Sequence, residues 1–188
     1  MDVTKALFFR PTARLDERAF EAIFQEYYTQ VYAILFRLTG DRYEADDLAA
    51  ETFWQLWERP PAQKDNLAGW LYRVATRLGY NSLRAGQRRK RYETITGAAG
   101  KEDGGSNEEG DPARAAEQRI ERERVRTILR KMGPRDVQML ILRHSGLSYK
   151  EIAAVMDIAA SSVGTLLSRA EKKFETLYRQ GEKDAPKG

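Results

Sequence analysis

The run TGAAGKEDGGSNEEGD from Thr96 to Asp111 constrains this fold more than any other stretch of the chain. Its apolar side chains are alanines alone, too little surface to offset the entropy of ordering it. The chain therefore divides into an N-terminal block over 15–95, a flexible acidic linker over 96–111, and a C-terminal block over 112–180. Fully extended, such a linker could reach roughly 50–70 Å and hold the blocks at distant points of one partner.

Both blocks read as helical. In the first, Phe20, Ile23, Phe24, Tyr27, Val31, Ile34, Leu35 and Leu38 recur every three or four residues. That spacing predicts a helix from about Asp16 to Leu38, with Gly40 as its stop. Asp41 caps a second helix, with Glu44 in the capping-box position and Pro60-Pro61 at its end. Leu48, Phe53, Leu56 and Trp57 form its apolar stripe. A third helix runs from about Asn66 to Arg91, with Leu67, Trp70, Leu71, Val74, Leu78 and Leu83 toward the core. No strand-like alternation competes, so the fold class is all-α, in two small helical domains.

The C-terminal block opens on Asp111-Pro112, a cap followed by proline at the first helical position. One helix continues to about Lys131, and Gly133-Pro134 breaks it. A short helix over Pro134–His144 carries Val137, Leu140, Ile141 and Leu142. Then comes LSYKEIAAVMDIAASSVGTLLSRAEKKF, from Leu147 to Phe174. Ser148 and Glu151 have the spacing of a reciprocal capping box. Ile152, Val155 and Met156 form an apolar stripe, and Ala153 is small where a second helix must cross. Asp157-Ile158 interrupts the pattern. A second helix from Ala160 or Ser161 turns Val163, Leu166 or Leu167, and Ala170 inward. Its outward side chains are Ser161, Ser162, Thr165, Ser168, Arg169, Lys172 and Lys173, hydroxyls and cations of the kind that meet phosphates and base edges. This segment is a helix-turn-helix by pattern; an ordinary helical hairpin with a solvated basic face is the plainer reading.

Composition narrows the chemistry. Among 188 residues there is no cysteine and one histidine, His144. That removes disulfides, thiolate metal sites and cysteine nucleophiles, and leaves little for a histidine-based pair. No catalytic residues, no metal and no cofactor are expected. No apolar run is long enough to span a bilayer and no apolar leader precedes a cleavage site, so the expectation is a cytoplasmic chain without membrane insertion. The net charge of +4 is mild, so its placement matters more than its size. The second helix gathers Glu44, Asp46, Asp47 and Glu51 beside Trp54 and Trp57. Two readings stand for it: dipole-favoured acids with core tryptophans, or an anchored partner surface. The third helix carries Arg73, Arg77, Tyr80 and Asn81, then Arg84, Arg88, Arg89, Lys90, Arg91 and Tyr92. Such a run can follow a phosphate backbone or stack on unpaired bases, or simply be a solvated helix end.

Taken together, the pattern resembles bacterial RNA polymerase sigma factors of the extracytoplasmic-function (ECF) group over about Phe20 to Arg179. YEADDLAAETFWQLWE (Tyr43–Glu58) is similar to the region 2.2 helix that docks on the polymerase β′ clamp helices. LAGWLYRVATRLGYNSLR (Leu67–Arg84) is similar to the regions that melt and read the −10 element, and Leu147–Arg169 to the region 4.2 helix-turn-helix that reads the −35 element. The resemblance implies polymerase contacts from Asp46, Asp47, Glu51, Phe53, Trp54 and Trp57. It implies −10 contacts from Trp70, Arg73, Arg77, Tyr80, Asn81, Arg84, Arg88 and Arg89, and −35 contacts from the seven outward residues of the last helix. The loop from Glu58 to Asn66 would help capture an unstacked base, offsetting the few kcal/mol of unstacking. Implied partners are core RNA polymerase (β′ clamp helices and β flap), promoter DNA and an anti-sigma factor. The chain departs from the family pattern at Ala50, Arg77, Asp157, Gly164 and Leu166. Two competing functions are a stand-alone helix-turn-helix regulator, which leaves the acidic-aromatic helix unused, and a nucleic-acid enzyme, for which Asp46-Asp47 lacks accompanying ligands.

Overall fold

The computed structural model describes residues 15–61, 66–96 and 112–183, without the side chains of 87–96, 112–113 and 182–183. The expected linker over 96–111 lies almost wholly outside the described residues, as do the centre of the 58–66 loop and the tail after 183. Seven helices make up the described residues, with no strand among them. They are α1 (Glu17–Thr39), α2 (Arg42–Glu58), α3 (Leu67–Thr96), α4 (Pro112–Lys131), α5 (Pro134–His144), α6 (Tyr149–Met156) and α7 (Ala160–Lys183).

Local chemistry sets most boundaries. The Asp16 carboxylate accepts from the Ala19 amide at 2.8 Å and starts α1. Gly40 stops it in the left-handed region, at φ 71°, returning its amide to the Phe36 carbonyl. Asp41 starts α2 by accepting from the Glu44 amide at 2.9 Å. The expected capping box does not close there, because the Glu44 carboxylate instead accepts from the Ser82 hydroxyl of α3. Asn66 starts α3 by accepting from the Gly69 amide at 3.2 Å.

The helix-turn-helix is as its pattern predicts. Ser148 accepts from the Glu151 amide, and the Glu151 carboxylate reaches back to the Ser148 amide at 2.7 Å. Asp157 ends α6 at φ 55°, ψ 55°, a left-handed conformation that a short polar side chain tolerates. The chain then turns through 90° into α7. Val163, Leu167 and Ala170 are buried at helical spacing, while Leu166 faces outward.

This cap has a testable signature. Hydrogen bonds from Ser148 hold the Glu151 carboxyl below its ordinary pKa near 4.5. The stabilisation is therefore complete above the ordinary value and is lost as pH falls through the depressed folded one. Ser148→Ala is expected to cost about 1 kcal/mol at neutral pH. In urea unfolding from pH 7 to pH 3, Glu151→Gln should flatten the acid loss of stability.

In the N-terminal block, α1, α2 and α3 pack around Val31, Ile34, Leu35, Leu38, Ala45, Ala49, Phe53, Leu56, Leu71 and Ala75. Gly79 lets α1 and α3 meet closely: a Cβ there would lie 2.7 Å from Leu38 Cδ1. The C-terminal block packs α5, α6 and α7 over Val137, Leu142, Ile152, Val155 and Val163. The blocks are not held apart as the linker length would permit. α3 packs on α4, α5 and α6, α1 touches α5, and one apolar cluster runs through both blocks.

Candidate docking face and nucleic-acid interface

On α2, helical spacing sorts the side chains into opposite faces. Ala45, Ala49, Thr52, Phe53 and Leu56 point into the core. Tyr43, Asp47, Glu51, Trp54 and Glu58 point outward in one stripe, with Tyr43 77% and Trp54 58% exposed. Phe53, expected on the docking face, is a core residue, 2% exposed. Its ring packs against Phe24 at 4.8 Å and edge-on to Phe20 at 6.4 Å. Burying a ring among rings on α1 gains more than a rim contact with a partner would. Trp57 is exposed, though less than Trp54: it meets Phe20 edge-on at 5.3 Å and keeps 38% of its surface. Asp46 accepts a hydrogen bond from the Tyr28 hydroxyl of α1. That bond, helped by burial, pushes the Tyr28 phenol up to about 12. The two readings of this helix are thus divided between neighbours: Phe53 packs, Trp54 presents itself.

The α3 residues also separate. Trp70 is half-buried against the core. Arg77, Asn81 and Arg84 are exposed. Arg73 donates through Nε to the Val155 carbonyl at 2.7 Å and through a terminal nitrogen to the Ala154 carbonyl at 3.2 Å. Tyr80 is 9% exposed, and its hydroxyl donates to the Met132 carbonyl at 3.0 Å. In this conformation Arg73 and Tyr80 both bond to the C-terminal block, Arg73 while remaining exposed and Tyr80 as a buried residue. The side chains of Arg88 and Arg89 lie outside the described residues.

On α7, Ser161, Thr165, Ser168, Arg169 and Lys172 are exposed, and Ser162 is half-buried in the first turn. The amides of that turn add a partial positive charge suited to a phosphate. Lys173 stands apart from its neighbours, with its ammonium 2.7 Å from the Asp136 carboxylate of α5. An exposed ion pair of this kind is weak, so Lys173 can exchange that carboxylate for a phosphate.

Two features escaped the sequence. Gln55 links the faces of α2 and α3: it donates to Glu51 at 2.8 Å and accepts from Arg77 at 3.1 Å. Its place four residues after Glu51 was the available signal. Arg143 lies over the Tyr149 ring at 5.6 Å, placing an exposed cation beside the first turn of α6.

Comparison with known proteins bears on both faces. A model of Sigma-70 region 2 matches residues 23–89, and a model of Sigma-70 region 4 matches residues 122–174. The ECF RNA polymerase sigma factor SigG of Mycobacterium tuberculosis is 30% identical, in an alignment covering 86% of this chain and 50% of SigG. The chain thus spans about half the length of the curated relatives it matches first. Among solved structures, CnrH in complex with the cytosolic domain of CnrY shares the fold at a TM-score of 0.57, with 19% identity, covering 90% of this chain and 93% of CnrH. The sigma factor RpoE of Bartonella quintana, in complex with the anti-sigma factor NepR, shares it at 0.52, again with 19% identity, covering 86% of this chain and 98% of RpoE. Regions 2 and 4 follow one another in order and together take up more than half of the sequence, so the chain belongs to the sigma-70 family, with the two-region layout of its ECF members.

Proposed function

We propose that this chain is a promoter-specificity subunit: it binds core RNA polymerase through α2, engages the −35 element through α7, and reads and helps melt the −10 element through α3. One observation carries the reading. A single chain presents an acid-and-tryptophan stripe on one helix, with its core face fully used, and a capped helix-turn-helix with a hydroxyl-and-cation face on another. A stand-alone regulator has work for the second surface only.

The division of labour follows from exposure. Asp47, Glu51 and Trp54 form the centre of the polymerase contact, in our reading against the β′ clamp helices, with Asp46 and Trp57 at its edge. Ser161, Ser162, Thr165, Ser168, Arg169, Lys172 and Lys173 meet the −35 groove and its phosphates, while the β flap holds region 4 in place. Arg77, Asn81 and Arg84 are ready for the −10 strand, and Arg88 and Arg89, next in the sequence, are proposed to bind the same strand. Action is by binding, without covalent chemistry, in the cytoplasm. Among the described residues no single helix is long and apolar enough to cross a membrane. An anti-sigma factor is the proposed inhibitor, as NepR is a partner of RpoE.

The test is direct association. Mixed with bacterial core polymerase, the chain should co-elute as a stoichiometric complex, and Trp54→Ala should weaken it while Arg169→Ala should not. A chain that binds duplex DNA but never core polymerase would be a regulator.

A further inference from the structure

We infer that α7 reads its duplex through thymine methyl groups, with Thr165 at the centre of the contact, and that it selects guanine only opposite Arg169. This base preference depends on the −35 role proposed above and adds the identity of the bases to it.

Side chains that tell bases apart by hydrogen bonds are missing where they would be needed. A helix-turn-helix meets base edges with the N-terminal residues of its second helix. Forked side chains discriminate there: arginine or lysine on guanine, asparagine or glutamine on adenine. From Ile158 to Ser168 this chain reads IAASSVGTLLS, without one charged or amide side chain. Its polar groups are the hydroxyls of Ser161, Ser162, Thr165 and Ser168. A hydroxyl both donates and accepts, so it bonds to most base edges and selects among them weakly. The thymine methyl is the apolar group that the major groove offers, and an apolar surface can select it.

The shape of α7 suits that contact. By helical spacing Thr165 stands among Ser161, Ser162, Ser168 and Arg169, each three or four residues away. Leu166, 36% exposed, borders this face on one flank. Gly164 borders it on the other, and there the wall comes from α6. A Cβ at Gly164 would meet the Tyr149 ring at 3.5 Å and nothing else within 4 Å. That ring is itself 44% exposed. A leucine on one flank and an aromatic ring on the other thus enclose a face whose central residue carries a methyl group. The cations lie beyond it. Arg169 is the first fork along the helix and can take one guanine. Lys172 follows it, and Arg143 and Lys150 precede the face, all exposed. These suit the phosphates, which give affinity without sequence.

Deoxyuridine isolates the methyl, because it pairs as thymine does and lacks only that group. A duplex library randomised over one helical turn is first selected on the full-length chain. The enriched motif should contain thymine, and one guanine whose selection is lost in Arg169→Ala. Replacing the thymine that faces Thr165 by deoxyuridine should weaken binding about 4-fold, the worth of burying one methyl-sized group. Thr165→Ser keeps the hydroxyl and removes the partner methyl, so it should bind the thymine and uracil duplexes alike. Leu166→Ala should shrink the same difference. Both side chains are exposed, so the variants should fold, which circular dichroism checks. Arg169→Ala should bind more weakly throughout and still distinguish thymine from uracil. A motif without thymine overturns the base preference and leaves the −35 role standing. Thymines that tolerate deoxyuridine, or a uracil penalty undiminished in Thr165→Ser, do the same. No enrichment of any duplex overturns the −35 role together with the preference.

Discussion

Replacing Asp47 and Glu51 together by alanine should lower affinity for core RNA polymerase by roughly 10- to 100-fold, the loss typical of removing central interface anchors. The fold should survive, because both carboxylates are exposed on the outer stripe of α2 while the opposite stripe carries the packing. Circular dichroism and thermal melting check the second point, and a fluorescence titration of labelled chain with core polymerase checks the first. The binding should also weaken with salt, since exposed charges are screened over about 8–10 Å at moderate ionic strength. Unchanged affinity in the double variant would move the docking surface off this helix.

The second large effect falls on stability. Phe53→Ala should destabilise the N-terminal block by about 3–5 kcal/mol, the cost of emptying a ring-sized site in a packed core. Phe20, Phe24 and Tyr28 surround the ring, with centroids at 6.4, 4.8 and 6.2 Å, so a cavity there cannot close without moving α1. Its sequence neighbour is the control. Trp54 is 58% exposed, so Trp54→Ala should leave urea stability within about 0.5 kcal/mol of the wild type and yet weaken polymerase binding. A pair of adjacent aromatics with opposite phenotypes is what a helix with one core face and one docking face requires.

These two residues also show where sequence reading stops. α2 carries Phe53, Trp54, Leu56 and Trp57 within five positions, so aromatic side chains point in nearly every direction and periodicity cannot say which one is inside. The α1 rings decide it, and they arrive from another helix. Short-range chemistry was legible for the complementary reason. The Ser148–Glu151 box, the Asp157 turn, the Gly40 stop and the Asp41 cap are each settled within four residues of chain. Glu44 is the instructive exception, because a hydroxyl from α3 takes the carboxylate that the local pattern assigns to a cap. The closing of the two blocks was invisible for a larger reason. Arg73 and Tyr80 are a cation and an aromatic on a basic helix, and that composition fits a nucleic-acid face. Only their meeting with backbone carbonyls of Ala154, Val155 and Met132, far along the chain, shows the second use. Leu166 and Leu167 were equivalent as sequence; the position of α5 and α6 beneath α7 buries Leu167 and leaves Leu166 outside.

The central claim is that this chain confers promoter specificity on a polymerase that lacks it. Transcription reconstituted with bacterial core enzyme on a randomised promoter library, read by sequencing the 5′ ends, addresses it directly. The account predicts transcripts only when the chain is present, starting downstream of two short sequence motifs at fixed spacing. Substitution of Arg169 should degrade the upstream motif, and substitution of Arg77 or Asn81 the downstream one. No chain-dependent transcript, from protein that binds duplex DNA by itself, would contradict it.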